Sequence, residues 1–164
     1  MKIAVLEWIR GGGLAAGSSA SGIAADVSTT LLREGSSMLG CLVEQFLRCG
    51  HDVALALDSR WPTLVGLPPA ARVQLVDAAD RPGHACPPRL WLELGRACDL
   101  AVVIAPEFDG ILATCLSQLR AAQVCLLNCD GPFLATASDK LLTAQALHAA
   151  GLPHPATAGL LDAT

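Results

Sequence analysis

No apolar run in this 164-residue chain approaches the roughly 20 residues that a membrane span needs. Hydrophobic residues nevertheless make up 52% of it and charged ones only 16%, so the apolar excess is expected in buried strands. No secretory leader is legible at the start, because the apolar stretch Ile3 to Leu6 is too short and Glu7 and Arg10 interrupt its continuation. A cytoplasmic location is the expectation. No cluster of Lys and Arg with interleaved aromatics occurs, and a net charge of −4 gives no general attraction to phosphate backbones, so neither nucleic acid nor a membrane is an expected partner. None of the seven cysteines forms a C-x-x-C pair, the closest being Cys125 and Cys129. Cys41, Cys98, Cys115 and Cys125 fall on the apolar phase of their segments, where cysteine behaves as a small hydrophobe. The histidines His51, His84, His148 and His154 show no metal spacing, and inert, solvent-exposed positions are expected for them. Internal repeats are absent as well.

What is present is an alternation of two periods. Ile3 to Leu6 has the uninterrupted apolar character of a central parallel strand buried on both faces. A Gly/Ser/Ala-rich segment, roughly Arg10 to Thr30, follows and has too little apolar bulk for a core of its own, which predicts a poorly ordered loop. From Leu31 the pattern turns helical, with Leu31, Leu32, Gly35, Met38, Leu39, Leu42, Val43 and Phe46 in phase and Gly50 placed to end the helix. "DVALALD" (Asp52 to Asp58) and the weaker "RVQLVD" (Arg72 to Asp77) read as strands two and three. A second helix is expected to start near Pro88 and to put Leu90, Trp91, Leu94 and Cys98 on one stripe. "DLAVVIAP" reads as strand four. Phe108, Ile111, Leu112, Cys115, Leu116 and Leu119 then mark a third helix, and "VCLLN" reads as strand five. Strands alternating with helices imply right-handed crossovers, hence an α/β fold with a parallel sheet of about five strands in the order 3-2-1-4-5 and helices on both faces.

The end of the chain reads differently. Ser138 and Asp139 can cap a helix from Lys140 to about Ala150, stopped by Gly151, Pro153 and Pro155. The division expected is residues 1–137 as the α/β domain and 138–164 as a linking helix and the start of something further. Only nine residues follow Pro155, so the sequence reads as stopping mid-architecture.

The stretch "EWIRGGGLAAG" (Glu7 to Gly17) raises a specific question. Gly11, Gly13 and Ala16 fit the spacing that cradles a dinucleotide pyrophosphate, but that fingerprint needs a helix opening at the third small residue and an acidic residue about 20 positions on. Neither is present. An independent dinucleotide-binding module is kept as an alternative to the assignment that follows, together with a non-catalytic association domain.

Taken together, "MKIAVLEWIRGGG", "LLREGSSML", "VVIAPEFDGIL" and "SDKLLTAQALHAAGLPHPAT" resemble the N-terminal part of ATP-grasp ligases, with the tyramine-glutamate ligase group of methanofuran-type (one-carbon) cofactor synthesis as the nearest likeness. The resemblance implies a Rossmann-like pre-ATP-grasp domain. Such ligases join a carboxylate to an amine through an acylphosphate, using ATP and magnesium. It further implies that nucleotide and metal lie between C-terminal ATP-grasp lobes, so that this chain alone binds neither and is not catalytic alone, with small-molecule amine and carboxylate substrates as partners; association as a homodimer is left open.

Carried onto this sequence, the resemblance marks Lys140 as a nucleotide-phosphate contact, the alternative being a solvated first-turn lysine. It marks Arg33, Glu34 and Ser36 as facing substrate, the alternative being a solvated helix start. Glu107 and Asp109, just past strand four, lie on the carboxyl edge where open α/β sheets bind ligands, and are read as holding a substrate amine or as stabilising the next helix's N-terminus. Glu7, ending strand one, shares that edge and joins the substrate-binding set.

Overall fold

The computed structural model describes residues 1–14, 29–80, 86–129 and 131–157. The chain divides into two compact units, Met1–Asn128 and Cys129–Thr164. In the first, the strands β1 (Lys2–Glu7), β2 (Asp52–Asp58), β3 (Arg72–Val76) and β4 (Leu100–Ile104) form one parallel sheet ordered β3-β2-β1-β4. The helices are α1 (Thr29–Arg48), α2 (Arg89–Arg96) and α3 (Ile111–Ala121). No helix among the described residues is long and apolar enough to cross a membrane.

The alternation of β1 explains the layering. Ile3 and Val5 point to the side covered by α1, where they join Val53, Leu55, Leu57, Leu39 and Val43 in one buried cluster. Ala4 and Leu6, a residue out of phase, are fully buried with Ala56 and Ala101 towards the other face, where α2 packs on β1, β2 and α3, and α3 packs on β4. Both faces are covered, as an apolar parallel strand requires. Arg89 opens α2 directly after Pro88, which has no N–H to lose at a helix start.

The fifth strand is corrected. Residues 124–128 run beside β4 but make only one parallel bridge, Ala101 with Leu126, through Ala101 N to Cys125 O (2.8 Å) and Leu127 N to Ala101 O (2.9 Å). The next pairing is made by a side chain. The Asn128 carboxamide oxygen accepts from Val103 N (2.8 Å) and its nitrogen donates to Val103 O (2.9 Å), so one amide stands in for a peptide group and the ladder ends there. Leu127 is 48% exposed, which is why apolar content alone overstated the strand.

Other expectations also shift. Of the four cysteines assigned to apolar surfaces only Cys115 is buried; Cys98 is half-buried, and Cys41 and Cys125 are exposed. Burial pushes the Cys115 thiol up to about 12, consistent with an inert core group. The loop expected over Arg10 to Thr30 lies largely outside the described residues, but Arg10–Gly13 are buried in an ordered turn, and α1 already includes Thr29 and Thr30. Met38 and Phe108, placed on apolar stripes, are 45% and 59% exposed. His51 and His154 are half-buried, His148 is exposed, and His84 lies outside the described residues.

In the second unit, α4 (Gly131–Ala137) and α5 (Lys140–Ala149) pack on each other. Thr143 Oγ1 donates to Thr136 O across the turn (2.7 Å). The Asp139 carboxylate caps α5 by accepting from Leu141 N (2.8 Å) and Leu142 N (3.0 Å), as its position before the helical run predicted.

Asn128→Ala removes both partners of Val103 at once and is expected to cost about 1–3 kcal/mol in urea unfolding. Asn128→Asp keeps the acceptor for Val103 N but sets a carboxylate oxygen against Val103 O, so it should not restore wild-type stability. An unchanged midpoint for Asn128→Ala would mean that the amide adds nothing to the edge.

Candidate functional site at the carboxyl edge of the sheet

From β1 the chain crosses to β2 and β3 on one side, and β4 lies on the other, so the topological switch point falls between β1 and β4. Open α/β sheets bind ligands outside the carboxyl ends of the strands at such a point. Four described segments meet that criterion by position: the turn after Glu7, the first turns of α1, the end of β2 and the loop after β4.

Glu7 organises the first of these. It is 1% exposed, and its carboxylate accepts from Ile9 N (3.1 Å) and Arg10 N (2.6 Å), which turns the chain sharply back. Gly11 N and Gly13 N then bond to Glu7 O (2.7 Å) and Trp8 O (3.0 Å). Loss of water raises the Glu7 carboxyl above its ordinary value, and the two backbone N–H groups and Arg10 only partly offset this. The glycines serve close packing. Gly12 has φ 84° and a Cβ there would lie 2.7 Å from Val76 Cγ1, while Trp91 Nε1 donates to Gly11 O (2.8 Å) and Trp8 meets Trp91 edge-on at 6.1 Å.

Arg10 extends under the neighbouring loop and donates to Trp61 O (3.0 Å) and Thr63 O (2.6 Å). Its burial lowers the guanidinium's pKa, and Glu7 and Asp58 offset this only in part. Asp58, fully buried at the end of β2, pairs with Arg60 at 2.7 Å. Arg60 reaches Leu14 O (2.8 Å) and lies 4.5 Å over the Trp61 ring. The edge is thus a lattice of two buried carboxylates and two arginines holding the glycine turn.

The candidate residues divide accordingly. Gly35 of α1 is pressed against Glu7, a Cβ there coming 2.8 Å from Oε2, so Arg33, Glu34 and Ser36 are carried to the carboxyl edge. Arg33 and Glu34 are exposed, whereas Ser36 is half-buried and donates back to Leu32 O. Glu107 and Asp109 are exposed beyond β4. Neither supplies a side-chain cap to the turn or helix that follows, so nothing in the hydrogen bonding ties them to the helix N-terminus. Asp109 (φ 54°) and Gly110 (φ 67°) are both left-handed, a conformation that Asp tolerates at some cost. Lys140 opens α5 in the second unit, exposed, with no hydrogen bond or ion pair among the described residues. Arg10, Asp58, Arg60 and Trp91 are not among the candidate site residues read from the sequence; the position of Asp58 at a strand end was the one available signal.

Among the described residues no group of three or more His, Cys, Asp or Glu stands together to hold a metal ion. In comparison with known proteins, residues 51–132, half of the chain, fit the family described as pre ATP-grasp 3 domain. No curated protein and no solved structure matches significantly.

Two outcomes test this geometry. Gly12 and Gly50 share a positive φ (84° and 79°), but Gly50 faces open space. Gly50→Ala should therefore cost about 1 kcal/mol, and Gly12→Ala roughly 1–3 kcal/mol more from crowding against Val76, read from thermal unfolding. Equal losses would contradict the packing role.

For Glu7 the folded-state value is the raised one, so its favourable contribution is complete below the unfolded-state value and is lost as pH rises through the folded-state value. As pH rises above the ordinary carboxylate range the wild type should lose stability relative to Glu7→Gln. Parallel pH curves for the two proteins would contradict the burial argument.

Proposed function

The chain belongs to the pre ATP-grasp 3 domain family, and on that footing we propose that it is the substrate-side domain of a carboxylate–amine ligase whose C-terminal ATP-grasp lobes bind the nucleotide. The family match carries the ligase assignment. The carboxyl edge supports the finer reading: Glu107 and Asp109 are exposed carboxylates at the switch point with no hydrogen-bond or ion-pair partner among the described residues, suited to a substrate ammonium. Arg33, one turn into α1 and held at the same edge through Gly35, suits a substrate carboxylate. Glu7 is a positioning residue, since both its oxygens are used by the turn.

ATP and magnesium supply the activation of the carboxylate as an acylphosphate when bound. Among the described residues no three His, Cys, Asp or Glu side chains stand together. Lys140 is the one residue of this chain assigned to the nucleotide, as a point charge for phosphate. Within the ligase this domain holds the amine; once the ammonium has given a proton to solvent or to a neighbouring carboxylate, its nitrogen attacks the acyl carbon, the C–N bond forms as the C–O bond to phosphate breaks, and a second proton leaves the nitrogen to solvent. Tyramine and glutamate as the substrate pair, in methanofuran-type synthesis, is the most specific form of the proposal and rests on sequence resemblance.

The experiment is steady-state kinetics of the ligase that contains this domain. Asp109→Asn or Glu107→Gln should raise the amine KM by about 10- to 100-fold, the worth of a charge-assisted contact, with the ATP KM unchanged. Lys140→Ala should do the reverse, raising the ATP KM while leaving the melting temperature within the scatter of surface substitutions, about 0.5 kcal/mol. Unchanged constants in all three variants would remove the assignment.

A further inference from the structure

We propose that His148 and His154 form a two-imidazole site for a divalent metal of the zinc type at the end of α5. The site is independent of the ligase assignment. In sequence the pair has no metal spacing on a continuous helix. The fold creates the juxtaposition: α5 ends at Ala149, Gly151 N bonds to His148 O (3.0 Å) and Leu152 N to Leu147 O (2.9 Å), and Gly151 at φ 67° reverses the chain. The Leu152–Pro155 segment is thereby laid back over the last helical turn.

The two rings then stand nearly perpendicular, 85° apart with centroids separated by 5.5 Å, and His154 Nε2 is 3.4 Å from His148 Nδ1. That separation is long for a hydrogen bond from N–H, which usually spans about 2.7–3.2 Å. It equals the distance between two nitrogens bound tetrahedrally to one ion at about 2.0–2.1 Å, an edge of about 3.3–3.4 Å. The tautomer of His154 agrees. Its Nδ1 lies 2.9 Å from Pro155 O, and because a carbonyl oxygen only accepts, the proton sits on Nδ1 and the Nε2 lone pair is directed at His148. A ring N–H donated to a backbone carbonyl is the usual outer support of a metal-bound imidazole. A bound ion held by both imidazoles would clip the Leu152–Pro155 segment to the helix.

The test is titration of the full chain with Zn(II) by calorimetry and with Co(II) by absorbance, the latter because thiolate ligands reveal themselves by an intense charge-transfer band. One equivalent should bind with nitrogen-type Co(II) bands and raise the melting temperature of the wild type. His148→Ala and His154→Ala should each weaken binding by at least about tenfold, the least that losing support of a bound metal usually costs, and both should abolish the thermal shift while keeping the wild-type melting temperature in the absence of metal. His51→Ala should change nothing. No saturable binding, a thiolate band, or affinity retained in both variants overturns the proposal.

Discussion

Everything at the carboxyl edge of this sheet depends on a carboxylate buried where β1 ends. Glu7 is almost wholly shielded from water, a placement that costs free energy unless the charge is met by donors. Here the donors are the main chain's own: Ile9 N and Arg10 N close on the two oxygens and commit the next residues to a tight turn. Once that turn forms, glycine is needed where it passes Val76 and Trp8, Arg10 is aimed under the loop at Trp61 and Thr63, and α1 must offer a residue without a side chain, Gly35, to approach the carboxylate at all. A sheet-end side chain thus sets the course of the loop and the seating of the following helix.

Function grows from the same constraint. With Glu7 and Asp58 consumed by the lattice that holds the turn, the groups proposed to meet a ligand at the switch point are exposed ones: Glu107 and Asp109 beyond β4, and Arg33 and Glu34 on α1. Asp109 is held at positive φ in a loop anchored on one side by Trp8 N bonding to Ile104 O (2.8 Å). Rigid supports beneath exposed charges are what a binding site needs if it is to orient a small substrate rather than only attract it.

The sequence carried the sheet order and most helices because these follow from periodicity: uninterrupted runs such as Ile3–Leu6 and Val53–Leu57 can only be buried on both faces. It could not carry the fifth strand. Whether "VCLLN" continues a ladder depends on a side-chain amide, Asn128, replacing a peptide group, and that is a tertiary event. Nor could spacing show that the glycines after Glu7 pack against Val76 and two tryptophans, since Val76 and Trp91 are distant in sequence. Glu107 and Asp109 were legible from their place after a strand; the Arg10 and Arg60 contacts and the meeting of His148 with His154 arise only once loops and a helix end have turned back on themselves.

The central claim is that the carboxyl ends of β1 and β4 receive the amine of a ligase. The most direct measurement is a crystal structure of the ligase containing this domain, grown with its amine substrate and a non-hydrolysable ATP analogue. The ammonium nitrogen should lie within hydrogen-bonding distance of the Glu107 or Asp109 carboxylate, above the Glu7 turn. An amine bound with neither carboxylate in reach, and with this edge covered by another part of the enzyme, would contradict it.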